Sequence, residues 1–175
     1  LLINVVCFSI GMGLNGALDT LVSQAYGDKQ LYLCGCYLNR GRLVQALFFI
    51  PELIALMCAK PMLLFLGQDE ATADAARTYV LTLLPGLFAM TQFETVRRYL
   101  QGMTIFYLTM YIQCFTMMLH ILWSYLLVYR IDLGIAGAAI STCITYWLNL
   151  GIVTVFITLK GDVVPKESWH LFNSD

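Results

Sequence analysis

The sequence predicts an all-α fold, a polytopic transmembrane helix bundle of about five spans, and three observations carry that prediction. Hydrophobic residues make up 59% of the 175 positions, charged residues only 12%, and the mean hydropathy is +0.74. A soluble domain typically carries about 25% charged residues, so this much apolar surface needs a lipid solvent. The apolar residues also fall into runs of spanning length separated by short polar links, and the basic residues gather at alternate links. With a net charge of −1 and a pI near 6.1, the chain lacks the strongly basic face of a nucleic-acid partner.

Taken in order, the spans are expected at about 1–22, 42–66, 76–96, 104–129 and 133–159. The first is apolar from Leu1 and reads as the later part of a helix, without the basic n-region and cleavage site of a secretory signal. Asp28-Lys29-Gln30, Gly67-Gln68-Asp69-Glu70, Arg97-Arg98-Tyr99-Leu100-Gln101 and Arg130-Ile131-Asp132 with Gly134 mark the links. Links this short make successive helices antiparallel neighbours. Small residues cluster at Gly11, Gly13, Gly16 and Ala17 and again at Gly134, Gly137, Ala138 and Ala139, where helices are expected to approach closely. The first cluster spells G-x-G-x-x-G, but a dinucleotide site needs a preceding strand, and none is expected here. Pro51, ahead of Glu52, and Pro85-Gly86 are expected to interrupt their helices, since proline removes an intrahelical hydrogen bond.

Lys29, Arg40, Arg42, Arg97, Arg98, Lys160 and Lys166 fall on one side of the alternating topology, with Lys60, Arg77 and Arg130 on the other. Basic residues are retained on the cytoplasmic side of short loops, which places the Leu18–Gly27 segment and the Arg97-Arg98 end in the cytosol. The six cysteines lie mostly inside apolar runs without C-x-x-C spacing. They read as small hydrophobes, with no disulfide, metal or cofactor role expected.

Ionisable side chains at membrane depth are costly unless they face a bundle interior or a watery cavity. Four stand out. Asp19 is placed to cap or bond backbone near a helix end, and Glu94 to pair with Arg97 or Arg98 three and four residues on. Glu52 follows a proline that frees a carbonyl, and reads equally as a structural acid or a transport site. His120 lies in mid-span with Thr116 and Ser124 one turn either side, forming a polar stripe on one helix face. A histidine there can titrate near neutral pH and carry a proton, or simply bond a carbonyl between helices. Phe88, Met90, Tyr107, Met110, Tyr111, Met117 and Trp123 offer apolar or cation–π surfaces to an organic cation. Only one other histidine is present, His170 in the tail, so no catalytic arrangement is visible and an enzyme is not expected.

Six ordered motifs carry a family resemblance: Leu18-Asp19-Thr20-Leu21-x-Ser23-Gln24-Ala25-Tyr26-Gly27; Gly35-x-Tyr37-Leu38-x-Arg40; Phe65-Leu66-Gly67-Gln68-Asp69; Pro85-Gly86-Leu87-Phe88-Ala89; Arg97-Arg98-Tyr99-Leu100-Gln101; and Gly134-x-x-Gly137-Ala138-Ala139 with Tyr146-Trp147-Leu148-Asn149. In order and spacing they resemble the multidrug and toxin extrusion (MATE) transporters, most closely the eukaryotic branch. Asp19, Gln24, Gly27, Arg97 and Arg98 belong to those motifs. The resemblance implies a twelve-helix antiporter of two six-helix lobes, with residues 1–160 covering the end of helix two through helix six of the N-terminal lobe. Residues 161–175 would be a cytoplasmic tail or inter-lobe linker, in which Trp169, Leu171 and Phe172 can lie at the membrane surface. It further implies that the fifth-helix asparagine–aspartate pair of prokaryotic relatives falls on His120 and Ser124, and the sixth-helix threonine on Thr142. With the aspartate missing, a Na⁺ site of that kind is disfavoured and H⁺ coupling preferred.

The expected function is therefore secondary active export of organic cations, drugs or other small organic compounds in exchange for H⁺, or Na⁺. His120, Ser124, Thr142 and Glu52 are the candidate substrate or coupling-ion residues. The implied partners are the small organic substrate, the coupling ion, the lipid bilayer and the C-terminal lobe, in a plasma membrane or a vacuolar or other organellar membrane. A lipid-linked oligosaccharide flippase or a non-transporting membrane scaffold is the alternative, though a flippase would carry more basic residues along its cavity.

Overall fold

In the computed structural model of the chain, residues 9–159, 164, 165, 168 and 169 are described. The helices are α1 (Ser9–Gly27), α2 (Leu31–Met57), α3 (Ala59–Phe65), α4 (Glu70–Gly102), α5 (Phe106–Tyr125), continued by a π-helical turn at Leu126–Arg130, and α6 (Gly134–Leu159). They form five antiparallel passes, with α3 completing the pass begun by α2. Length and apolarity alone qualify Phe106–Arg130 and Gly134–Leu159 as spans among the described residues, and α2 with α3 qualify together across a 51° bend. Helix α4 has 33 residues, roughly 50 Å at 1.5 Å per residue, well beyond the ~30 Å hydrocarbon core.

Short links are closed by backbone geometry. After α1, Gln30 N–H donates to the Ala25 carbonyl (2.9 Å) and Lys29 N–H to that of Tyr26 (3.1 Å), while Lys29 takes a left-handed φ of 59°. This is a Schellman stop. The same pair of bonds recurs after α4, where Thr104 holds φ 63°, and after α3, where Gly67 holds φ 80°. Glycine adopts that region without strain, but a lysine or a β-branched threonine does not. At the start of α4 the Asp69 carboxylate accepts from Thr72 N–H at 3.0 Å, capping the helix. The Thr72 hydrogen bonds hold the Asp69 carboxyl below the usual carboxylate range.

Helix α4 is the centre of the bundle and packs against all five other helices, most extensively α6. Two apolar clusters lie at its opposite ends. Toward its C-terminus, Phe93, Val96, Tyr99 and Leu100 meet Leu18 and Val22 of α1, Cys34 and Leu38 of α2, Ile112 of α5 and Val153 of α6. Toward its N-terminus, Val80, Leu83 and Leu87 meet Phe49, Leu56 and Ala139. Phe88 stacks edge-on against Phe49 at 5.4 Å, so it serves packing. At Gly86 the Cα of Cys143 on α6 comes within 2.8 Å of where a Cβ would sit, which is why a small residue stands at this crossing.

Several expectations need correction. Helix α2 begins at Leu31, eleven residues before the expected span at 42, because the polar residues Asn39, Arg40 and Arg42 sit on helical turns. Pro51 lies inside α2 without ending it, and the break comes instead at Cys58; α4 likewise runs through Pro85. Arg97 and Arg98 are not at a link but within α4, whose following residues Tyr99 and Leu100 are fully buried. Gly13 and Gly16 meet no described atom within 4 Å, so among the described residues they make no close helix contact. Gly11 and Gly137 do, the latter against the Leu127 carbonyl of the π-helical turn. The Trp169 ring stacks on the Arg42 guanidinium at 5.2 Å. Beside it, Tyr99 Oη donates to the Ser168 carbonyl or Oγ, each at 3.0 Å. Lys160, Lys166, His170, Leu171 and Phe172 lie outside the described residues.

Candidate functional site

Helices α5 and α6 run antiparallel, and the polar face of α5 meets a matching face of α6. Thr116 Oγ1 lies 2.7 Å from Asn149 Oδ1, His120 Nδ1 2.9 Å from Thr145 Oγ1, and Ser124 Oγ 3.1 Å from Ser141 Oγ. Each helix supplies a polar side chain every fourth residue, close to one per turn, so the three pairs form a ladder along one seam. Thr116, Ser141 and Asn149 are buried, while His120, Ser124 and Thr145 are part-exposed.

The ladder closes around His120. Besides Thr145, the imidazole meets Ser124 Oγ through Nε2 at 3.2 Å. Ser141 Oγ donates to the Ala138 carbonyl at 2.9 Å, and Ser124 Oγ donates to Ser141 Oγ, which leaves Nε2–H to donate to Ser124. Thr145 has one hydroxyl proton, wanted both by the Ser141 carbonyl at 2.9 Å and, when Nδ1 is bare, by His120. Every contact is satisfied together only when His120 carries both ring protons, because Nδ1–H then donates to Thr145 and frees its hydroxyl for Ser141. With one proton on the ring, whichever nitrogen holds it, one contact lacks a hydrogen.

Of the candidate residues, His120 and Ser124 are therefore brought together. Thr142 is not joined to them; its hydroxyl donates to the Ala138 carbonyl of its own helix at 2.9 Å. Glu52 is 1% exposed and shares the buried α2 stripe of Gln45, Phe49 and Leu56, on a helix whose main packing partners are α1 and α4. Sequence reasoning missed Ser141, Thr145 and Asn149. Their spacing of four was the available signal, since it mirrors Thr116, His120 and Ser124 in reverse order.

The motif residues form a second polar group near the C-terminal end of α4. Arg97 Nη1 donates to Glu94 Oε1 at 2.9 Å, one of the two partners expected for Glu94. Asp19 Oδ2 faces Arg98 Nη1 at 4.0 Å, tying α1 to α4, where a cap or backbone bond was expected. Gln24 contributes through its carbonyl, which accepts from Asp28 N–H at 3.0 Å, and Gly27 ends α1. Tyr107, Met110, Tyr111 and Met117 are exposed along α5.

Comparison with known proteins agrees with this architecture. A sequence model of the MatE family matches residues 1–126. The chain is 33% identical to Protein DETOXIFICATION 16 of Arabidopsis thaliana over 98% of its own length and 35% of that protein's. It is 31% identical to Multidrug and toxin extrusion protein 1 of Xenopus tropicalis, covering 91% of itself and 28% of the relative. The crystal structure of the eukaryotic MATE transporter AtDTX14 superposes with a TM-score of 0.90 at 28% identity, over 98% of this chain and 38% of that one. The chain thus spans about a third of the length of the curated relatives it matches. Matching motifs, helix order and superposition converge, and the chain belongs to the MatE family, with the fold of its eukaryotic members.

Proposed function

We propose that this chain forms part of the N-terminal lobe of a proton-coupled efflux transporter that exports small organic compounds, organic cations among them. Residues 1–160 would supply the lobe and 161–175 the start of the linker to a C-terminal lobe. The Arg97 end would face the cytosol, in line with the basic-residue bias, in a plasma or organellar membrane. The observation that carries the coupling reading is the hydrogen-bond accounting at His120: protonation completes the α5–α6 ladder, and deprotonation leaves one contact unmade. A proton arriving at His120 thereby biases the packing of two helices, which is what an antiporter needs to link ion binding to a change of shape. Ser124 belongs to this ladder, Thr142 is the sequence neighbour of Ser141 on α6, and Glu52 is a second candidate proton carrier on α2. The ladder offers hydroxyls and an imidazole rather than the anionic oxygens that hard cations prefer, which favours H⁺ over Na⁺.

The test is efflux of a fluorescent organic cation from proteoliposomes containing the full-length parent, under separately imposed pH and Na⁺ gradients. A pH gradient is expected to drive transport, and His120→Gln to displace the pH profile while the protein stays folded. An unchanged profile in His120→Gln would remove His120 from the coupling path.

A further inference from the structure

Beyond Leu159, where α6 ends, the chain returns to the bundle. Val164 is 1% exposed and joins the apolar cluster that holds Leu18 of α1, Leu38 of α2 and Val96 of α4. Ser168 is fully buried. Its N–H and its hydroxyl both donate to the Pro165 carbonyl, at 2.9 and 2.8 Å, a tight turn that uses the hydroxyl proton. Ser168 therefore presents only acceptors to α4: its carbonyl and its Oγ each lie 3.0 Å from Tyr99 Oη, which donates between them. Tyr99 is itself fully buried, and among the described residues its hydroxyl has no other partner. A buried phenol needs one, so α4 carries a polar group that the tail satisfies. The next residue, Trp169, places its ring against the Arg42 guanidinium of α2, and Arg42 makes no ion pair among the described residues.

We propose that Val164, Ser168 and Trp169 form a strap that anchors the link between the lobes to α4 and α2, so that the link runs from Trp169 rather than from the end of α6. This rests on the reading of residues 161–175 as the start of that link. Residues 160–169 amount to ten, a length that reaches about 33–36 Å when extended. Docking withdraws that slack. Slack in a tether lowers the effective concentration of one lobe at the other, so the anchor keeps the lobes within short reach at the Arg97 end. Its two polar contacts fall on different helices, Tyr99 on α4 and Arg42 on α2, so the pull of the link is shared across the bundle. A free tail would leave the Tyr99 hydroxyl buried without an acceptor, which favours the docked form.

Double electron–electron resonance on the full-length protein reads the anchor, with spin labels on noncanonical residues that replace Asp28 and His170. A flexible Gly-Ser insert of about twelve residues, with an r.m.s. span of about 17–20 Å, is placed between Gly161 and Asp162. The strap predicts the same narrow distance distribution with and without the insert. In Tyr99→Phe combined with Trp169→Ala, which removes both polar contacts, the insert is expected to broaden the distribution by about 10 Å or more. If that double variant does not fold, Val164→Asp, which puts a charge on the strap alone, takes its place with the same expectation. Broadening by the insert in the parent would show a tail held by α6 alone and overturn the proposal. So would a narrow distribution in the variant that carries the insert. Proteoliposome efflux then reads the link: the insert ahead of the strap is expected to leave the rate unchanged. The same insert between Leu171 and Phe172 is expected to slow it at least about twofold. Equal rates for the two inserts would overturn the anchor's part in transport. A parent without efflux would remove the transporter reading, while the distance measurement still decides the anchor, so the two failures are distinguishable.

Discussion

Replacing Gly86 by alanine adds a Cβ that would lie 2.8 Å from the Cα, 3.0 Å from the Sγ and 3.1 Å from the Cβ of Cys143. Ordinary contact begins near 3.4 Å, and the nearest of the three atoms is backbone, so rotamer change cannot relieve the clash. Helices α4 and α6 must separate locally by about half an ångström or more, at the most extensive helix contact in the bundle, and overpacking of this kind costs about 1–3 kcal/mol. Alanine recovers about 1 kcal/mol of helix propensity over glycine. With backbone as the nearest atom the cost falls in the upper part of that range, about 2–3 kcal/mol, so the net expectation is a loss of about 1–2 kcal/mol, or roughly 5–30-fold in the folded-to-unfolded ratio. Denaturation of the purified full-length protein by SDS in mixed micelles, followed by tryptophan fluorescence, reads this directly. Gly13→Ala is the control: with no described atom within 4 Å of its Cβ, it is expected to be neutral or stabilising. Adding Cys143→Gly to Gly86→Ala removes two of the three clashing atoms and should restore stability only in part. A Gly86→Ala protein as stable as the parent would refute the close-approach argument, and full recovery in the double variant would refute the backbone clash.

Tyr99 is fully buried, and Tyr99→Phe removes its bonds to Ser168 while keeping the ring, an expected loss of about 1–2 kcal/mol in the same assay. Thr104→Gly should stabilise by about 1 kcal/mol, because Thr104 holds φ 63° at the end of α4; a loss of stability would show that its side chain matters more than its backbone. Thr145→Val leaves His120 Nδ1 without its ladder partner and is expected to flatten the pH profile of efflux; a wild-type profile would take the ladder out of coupling. The Asp69 carboxyl is held below its usual range, so its cap stabilises above the ordinary carboxylate pKa and fades as pH falls through the lowered value. Thermal stability of Asp69→Asn compared with the parent should therefore converge only well below about pH 4.

The helical passes were legible because apolar runs of spanning length have few other solutions, and the short links fixed their antiparallel order. Helix ends were less legible. Arg40 and Arg97 read as link residues by polarity, yet both sit on helical turns, since a helix longer than the bilayer carries charge on its protruding ends. Pro51 and Pro85 looked like breaks, but a membrane helix tolerates one missing hydrogen bond; the break fell instead at Cys58, where Pro61 cannot donate to the Met57 carbonyl at the end of α2. At the site, His120 and Ser124 stood out because they are polar within an apolar run. Their α6 partners did not, because Ser141 and Thr145 are common in membrane helices and bond their own helix backbone.

The ladder between α5 and α6 carries a mechanical consequence. Because its rungs recur every fourth residue on both helices, a slide of one turn, about 5–6 Å, would not scramble the seam. Thr116 would come opposite Thr145, and His120 opposite Ser141, so two rungs would re-form while Ser124 and Asn149 lost theirs. The seam would thus act as a graduated rule, with intermediate offsets costly because the polar side chains would lose their partners across it. At the shifted position the neighbour of His120 would be a serine whose hydroxyl proton is already spoken for by Ala138, so under the proton-coupled reading the charge on His120 would bias one mark over the other.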